Sequence, residues 1–264
     1  MDFEFKENYS FYDLVEIMRC LRAPGGCPWD AEQTHESIKK NFIEETYEVI
    51  EAINKKDKDL LREELGDVLM QVVFHARMSE EDGEFDINDV TDEVCKKLIE
   101  RHPHVFGDVN VSGVGDVLDN WDSIKRRSKK QDKMSSAMDS VPRELPALMR
   151  ASKIQQKAAK AGFDWKEIDG ALDKLSEEIK ELKEAIASGT VQEKTDELGD
   201  VLFSAVNVSR FIDIDAEEAL TASTDKFVER YKGVEALAEE KGINMKESSL
   251  EELDRLWDEV KARK

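Results

Sequence analysis

Five prolines and thirteen glycines are all that punctuate this chain of 264 residues. No run of alternating β-branched residues reads as a strand. Sheet architectures are thereby excluded, and the long Glu-, Lys-, Leu- and Ala-rich amphipathic runs that remain read as helices. Cysteine is as scarce: Cys20, Cys27 and Cys95 form no C-x-x-C pair and no even framework. That excludes a disulfide scaffold and points to reduced thiols in a cytosolic protein. No apolar stretch approaches the length of a membrane span, and residues 1–7 are charged rather than apolar, so neither a membrane protein nor a signal core is expected. Positive charge is in deficit too. Sixty acidic against 39 basic residues give a formal net charge of −21, which argues against broad nucleic-acid binding. A small anionic substrate stays compatible with such a surface only if a cation bridges it. No Gly-x-x-x-x-Gly-Lys-Ser/Thr loop is present, and the glycine-rich stretch 107–115 lacks the lysine, so a nucleotide would have to bind through metal. No Ser-His-Asp or Cys-His arrangement is apparent.

What is present is a repeat. Glu-Leu-Gly-Asp-Val-Leu occurs at 64–69 and again at 197–202. Each copy follows an E-E-x-x-E cluster, Glu44-Glu45-Thr46-Tyr47-Glu48 and Glu177-Glu178-Ile179-Lys180-Glu181. The likeness extends outward. Gly26-Cys27-Pro28-Trp29 matches Gly162-Phe163-Asp164-Trp165, Lys97-Leu98-Ile99-Glu100-Arg101 matches Lys226-Phe227-Val228-Glu229-Arg230, and tryptophan recurs at Trp121 and Trp257. This is a tandem duplication of an all-α unit of roughly 120 residues. The expected division is 1–126, a polar basic linker at 127–141, and 142–264. In each unit the E-E-x-x-E helix (37–54 in the first) is expected to turn at a polar segment (54–59) into an antiparallel partner (61–78). The middle of that partner is apolar nearly all round, which predicts a central buried helix. A third helix opens near Asp86 in the first copy and near Asp215 in the second.

Residues three apart share a helical face. Glu45 with Glu48, and Glu64 with Asp67, therefore converge from two antiparallel helices; Glu178, Glu181, Glu197 and Asp200 do the same in the second copy. Two carboxylates about 5 Å apart repel by roughly 3 kcal/mol at an effective dielectric of 20, so four need a divalent cation or raised pKa values. An all-oxygen set without His or Cys favours Mg²⁺, or Mn²⁺, over zinc, and the lack of E-x-x-H argues against a di-iron bundle. Gly66 and Gly199 interrupt the two E-x-x-D segments at a cost of roughly 0.8–1 kcal/mol each, which implies close helix approach or room for a ligand. Lys226 and Arg230, four apart on one face, suit a polyphosphate beside the metal, and Lys97 and Arg101 repeat them. Trp257, between acidic residues on a late polar helix, is a candidate for stacking on a base, whereas Trp165 is expected in the core. His102-Pro103-His104 reads as a turn after a helix.

These residues together resemble a known family, the all-α nucleoside triphosphate pyrophosphohydrolases, and the tandem form resembles its MazG members. Gly26-Cys27-Pro28-Trp29-Asp30, Arg101-His102-Pro103-His104-Val105-Phe106 and Pro146-Ala147-Leu148-Met149-Arg150-Ala151 belong to the same resemblance, which covers nearly the whole chain. The resemblance implies Mg²⁺-dependent hydrolysis of nucleoside triphosphates to monophosphate and pyrophosphate by a cytoplasmic homodimer, with most activity in the second domain. Carried over, Glu178, Glu181, Glu197 and Asp200 correspond to metal ligands, Lys174, Lys226 and Arg230 to phosphate contacts, and Trp257 to a nucleotide contact. Two positions depart from the pattern. Thr224 stands where the family often has Asn, and Glu193, with Lys194 beside it, where a basic residue is often found before E-x-x-D. The expected chemistry is attack of metal-activated water on the α-phosphorus. Glu177, or alternatively Glu181, would orient or deprotonate that water, and Lys226 and Arg230 would offset charge on departing pyrophosphate. The first copy keeps Glu45, Glu48, Glu64 and Asp67 and is expected to bind metal. The rival reading is a nucleotide-sensing protein that binds without turnover.

Overall fold

The computed structural model describes residues 3–128 and 134–263, and among them forms thirteen helices and no strand. The first seven are α1 (Phe11–Arg22), α2 (Pro28–Glu32), α3 (Lys39–Lys55), α4 (Lys58–Glu81), α5 (Ile87–Arg101), α6 (Pro103–Phe106) and α7 (Val114–Ser128). The remaining six are α8 (Met134–Asp139), α9 (Ala147–Lys160), α10 (Ile168–Ser188), α11 (Val191–Phe211), α12 (Ala216–Lys241) and α13 (Leu250–Ala262). The chain divides into two compact units, Met1–Lys125 and Arg126–Lys264.

In the first unit α3 and α4 are antiparallel neighbours because only two residues join them. Lys56 adopts the left-handed conformation (φ 56°) that ends α3, and the Asp57 carboxylate accepts from the backbone N–H groups of Asp59 and Leu60 to start α4. A Ser10–Asp13 capping box sets the start of α1, which lies on α4. Met18 of α1, Ile38 ahead of α3, and Val73, Phe74 and Met78 of α4 form the core. Asp86 caps α5 through a second capping box, with Asp89. The second unit repeats the central pair: Gly189 and Thr190 join α10 to α11. Its other core packs Val234, Leu237 and Ala238 of α12 on Leu256 of α13.

Four expectations change against this structure. The helix read as central and buried is covered unevenly: in the first unit Val73 and Phe74 are buried and of residues 68–74 only Leu69 is exposed, at 40%, while in the second Leu202 and Phe203 are 49 and 44% exposed. The segment read as a linker reaches into folded structure, since α8 lies within it and Ala137 and Val141 are buried; its residues 129–133 fall outside the described residues. His102-Pro103-His104 is not a plain turn. His102 ends α5 and Pro103 opens the short helix α6. Trp165 is not in the core; it is 43% exposed and lies over Gly170 of α10, where a Cβ would meet its ring at 2.2 Å.

Candidate metal centre

The antiparallel pairs deliver their carboxylates to common points. In the first unit one oxygen from each of Glu45, Glu48 and Glu64 lies within 4.8 Å of the others; in the second, Glu178, Glu197 and Asp200 do so. Each trio omits one member of its predicted set of four, Asp67 in one copy and Glu181 in the other. Both omitted residues still stand close enough to act. The Asp67 charge helps push Glu45 and Glu64 above the usual carboxylate range, after burial, which is the largest cause for both. Glu181 is itself pushed up, first by burial, then by a hydrogen bond with Glu178 and the charges of Glu178, Glu197 and Glu177. These are the signatures of carboxylates crowded without sufficient counter-charge.

Two observations test whether a divalent cation fits. Glu178 is buried, and Glu197 keeps its Oε2 buried with no hydrogen-bond partner. A buried anionic oxygen left bare is costly, and a hard cation is what would satisfy it. The donor set is oxygen only, as Mg²⁺ and Mn²⁺ require. Lys174 supplies part of the missing charge, its Nζ 2.8 Å from Glu178 Oε1 and 3.0 Å from Glu177 Oε1. Those contacts, Glu178 first, raise the Lys174 ammonium above its ordinary range. The lysine matched to a phosphate contact thus sits on the carboxylates.

Between α12 and α13, Arg230 lies over the Trp257 ring at 5.7 Å, with Phe227 against the same indole at 5.3 Å. Trp257 is half-buried, one side packed on the α12–α13 core, so it is less open than its polar neighbours imply. The first unit repeats the pairing, with Arg101 over Trp121 at 5.4 Å. Lys226 is exposed on α12 and Lys194 half-exposed on α11. Glu193, the position that departs from the family pattern, has a local partner. Its Oε2 accepts from the Thr190 N–H at 2.6 Å and from the Thr190 hydroxyl at 2.8 Å, closing a capping box at the head of α11 and holding the Glu193 carboxyl below the usual range. The Thr-x-x-Glu spacing that announces such a box is in the sequence. Within one chain, a Cβ on Gly66 or Gly199 inside the two E-x-x-D segments would meet nothing within 4 Å, so the glycines leave open space there.

Two all-α units, each presenting paired acidic helices toward a shared point, define a class of carboxylate-bearing helical proteins suited to hard divalent ions. The family model for the MazG nucleotide pyrophosphohydrolase domain matches residues 33–106 and 167–235, the two segments that contain these pairs. A Thermotoga maritima protein named nucleoside triphosphate pyrophosphohydrolase/pyrophosphatase MazG is 49% identical over 251 residues, 95% of each chain. An Escherichia coli K12 nucleoside triphosphate pyrophosphohydrolase is 44% identical over 94% of this chain and 95% of its own. The Bacillus subtilis protein YabN, whose function is uncharacterized, is 47% identical over 96% of this chain and 52% of its own length. The chain belongs to the MazG family.

Proposed function

We propose that this protein hydrolyses nucleoside triphosphates of broad base range to monophosphate and pyrophosphate, that it requires Mg²⁺, and that the second unit carries most of the turnover. The observation that carries the reading is the bare, buried Oε2 of Glu197 within an all-oxygen trio with Glu178 and Asp200. In this reading Glu178, Glu197 and Asp200, with Glu181 adjacent, hold the cation, and Glu45, Glu48, Glu64 and Asp67 hold one in the first unit. Bound there, Mg²⁺ lowers the pKa of water and offsets phosphate charge. Glu177 takes the proton from the water that attacks the α-phosphorus, with Glu181 as the other group in reach of that role. Lys174, paired with Glu177 and Glu178, would be free to turn toward phosphate were these carboxylates to hold a cation. Arg230 and Lys226 then offset the charge that builds on pyrophosphate as the α–β anhydride breaks, and Arg230 and Phe227 hold the Trp257 ring ready for the base. Exposed leucines on α4 and α11 support a homodimer, and the thiol pattern a cytoplasmic setting.

The test is incubation of the full chain with mixed nucleoside triphosphates, with and without Mg²⁺, followed by separate measurement of pyrophosphate and monophosphate. Equal amounts of both, dependent on Mg²⁺, are expected. Saturable nucleotide binding without pyrophosphate would instead establish a sensor. Paired Glu64→Ala and Glu197→Ala chains then assign the rate, the second losing a hundredfold or more and the first only a few-fold.

A further inference from the structure

The first unit holds an imidazole pair that the proposed chemistry does not use. His35, in the turn that leads into α3, and His75, on α4, place their Nδ1 atoms 2.7 Å apart. The ring planes are within 11° of parallel and the centroids 5.0 Å apart. Face-to-face rings cannot bring two atoms closer than van der Waals contact; nitrogens this close, at that centroid spacing, point at each other in a common plane. One proton therefore lies between them, donated by one Nδ1 to the other. On the far side, Ser79 Oγ is 3.3 Å from His35 Nε2. The Ser–His–His line is not a nucleophilic relay, because Ser79 is 1% exposed and closed to any substrate.

The duplication supplies an internal control. The acidic motifs recur with an offset of 133, 44 with 177 and 64 with 197, which sets Val208 and Ile212 against His75 and Ser79; His35 lies between that block and the Gly26–Trp29 match, whose offset is 136, so its counterpart is Ile168 or Ala171. The second copy thus fills these positions with apolar residues, and only the first carries groups that titrate. Their location gives the pair leverage. His35 lies between Thr34 and Ser37, whose side chains fix the turn, and three residues before Ile38, the buried residue at the head of α3. His75 lies eleven residues along α4 from Glu64, about 16 Å. The bond thus pins the start of the Glu45/Glu48 helix to the helix that bears Glu64.

We propose that His35 and His75 form a proton-gated latch on the first unit, closed while one proton is shared and opened when both imidazoles are protonated. A single added proton goes to the donor ring's Nε2 and leaves the bond intact. A second puts N–H against N–H, and the turn must part from α4. The charged groups on the surrounding elements do not stabilise that dication. On α1, Arg22 is held by Glu81 and by the carbonyls of Asp30 and Gln33; on α4, Arg77 is paired with Glu80 and Glu81. α3 presents the uncharged Phe42 ring to His75, and Glu36, in the turn, is exposed. Among the described residues no carboxylate bonds to either imidazole. Burial, and then the facing His35, hold His75 below the ordinary histidine range. A histidine lowered in the folded chain contributes stability that is intact above its unfolded pKa, about 6.5, and is lost as pH falls below it.

The test is hydrogen exchange on the full chain at pH 7.5 and 5.0, corrected for intrinsic rates. Protection of residues 33–45 should fall tenfold or more at pH 5.0, while the matching 166–178 changes less than twofold. In His35→Ile/His75→Val, which makes both positions apolar as in the second copy, the pH-dependent loss should vanish although every carboxylate remains. Equal loss in both copies, or loss that persists in the double variant, overturns the latch. Imidazole ¹⁵N spectra of the unaltered chain decide the matter if the variant does not fold: a shared Nδ1 proton and a coupled titration are expected, and two independent titrations near ordinary histidine values refute the proposal.

Discussion

Glu197 shows at the scale of one side chain what the site lacks. One of its oxygens is buried and bare, and its neighbours Glu178 and Asp200 add charge rather than hydrogen bonds. The pH consequence has a definite sign. Glu45, Glu64 and Glu181 are raised in the folded chain, so they hold protons there that the unfolded chain releases. Metal-free stability therefore declines as pH rises above the ordinary glutamate value of about 4.3. Mg²⁺ should reverse that decline. At tenfold excess over Kd, a ligand selective for the folded state adds about 1.4 kcal/mol, roughly 3–6 °C in Tm for a unit of this size. Calorimetry should find that shift at pH 7 and a smaller one at pH 4.5, where the raised carboxyls of Glu45, Glu64 and Glu181 hold more protons against the cation, and Glu197→Gln should abolish the part that belongs to the second unit. Asp200→Ala should lower turnover a hundredfold or more while leaving the far-ultraviolet circular dichroism unchanged; wild-type rates in that variant would remove the second trio from the mechanism. The i,i+3 spacing made the convergence of these groups legible in the sequence. It did not reveal which of four carboxylates stands outside each trio, because rotamers rather than spacing decide that. Nor did it reveal that Lys174 reaches back to Glu178 and Glu177, since a lysine four residues before a glutamate has the same spacing whether it faces solvent, phosphate or its own helix.

Whole helices were easier to read than their contents. Asp86 and Asp215 start α5 and α12 as the sequence pattern implies, and the short polar turn after the E-E-x-x-E helix makes the antiparallel pair. The capping box of α11 was equally readable from Thr190 and Glu193, the position where the family often has a basic residue. Glu193→Ala should cost about 1 kcal/mol through the lost cap, measured by urea unfolding. Its effect on KM, measured beside that, separates a cap from a substrate contact. Glycine divides the helices more sharply. Gly233 of α12 stands where a Cβ would meet Val260 Cγ1 of α13 at 2.7 Å, and a β-branched valine has few rotamers by which to yield. Gly233→Ala is expected to destabilise by about 1–3 kcal/mol. Gly66→Ala, with no atom within 4 Å, should instead gain up to about 1 kcal/mol from helix propensity alone. Chemical denaturation of both variants tests the contrast, which sequence cannot supply because both glycines lie mid-helix in similar polar surroundings.

At the scale of the whole molecule, a strongly acidic chain leaves large apolar faces uncovered. Ile43, Tyr47 and Ile50 on α3 are exposed beside Leu65 and Leu69 on α4, and Leu172, Ile179 and Ile186 on α10 beside Leu198 and Leu202 on α11. Each unit thus buries one side of its carboxylate-bearing pair in its own core and shows the other side to water. A net charge of −21 opposes non-specific association, so a lasting contact between two such chains has to be made by a defined apolar patch. Exposed apolar side chains gathered on one pair of helices mark a candidate association surface. The apolar helix after E-L-G-D buries Val73 and Phe74 in its own unit's core and leaves Leu69 exposed, the face that the proposed homodimer would cover. Sequence periodicity reports that a face is covered, not by which molecule. Sedimentation equilibrium should therefore give twice the chain mass of 30.1 kDa. Ile186→Asp, which places a charge on an exposed face of α10 five residues past Glu181, should shift the distribution toward monomer by tenfold or more in Kd. The same substitution distinguishes two roles for the face. Turnover that falls in proportion to the dimer fraction, and recovers at high protein concentration, means that the second copy completes the site. Turnover that is unchanged in the monomer means that the dimer serves stability alone and each helical pair acts by itself.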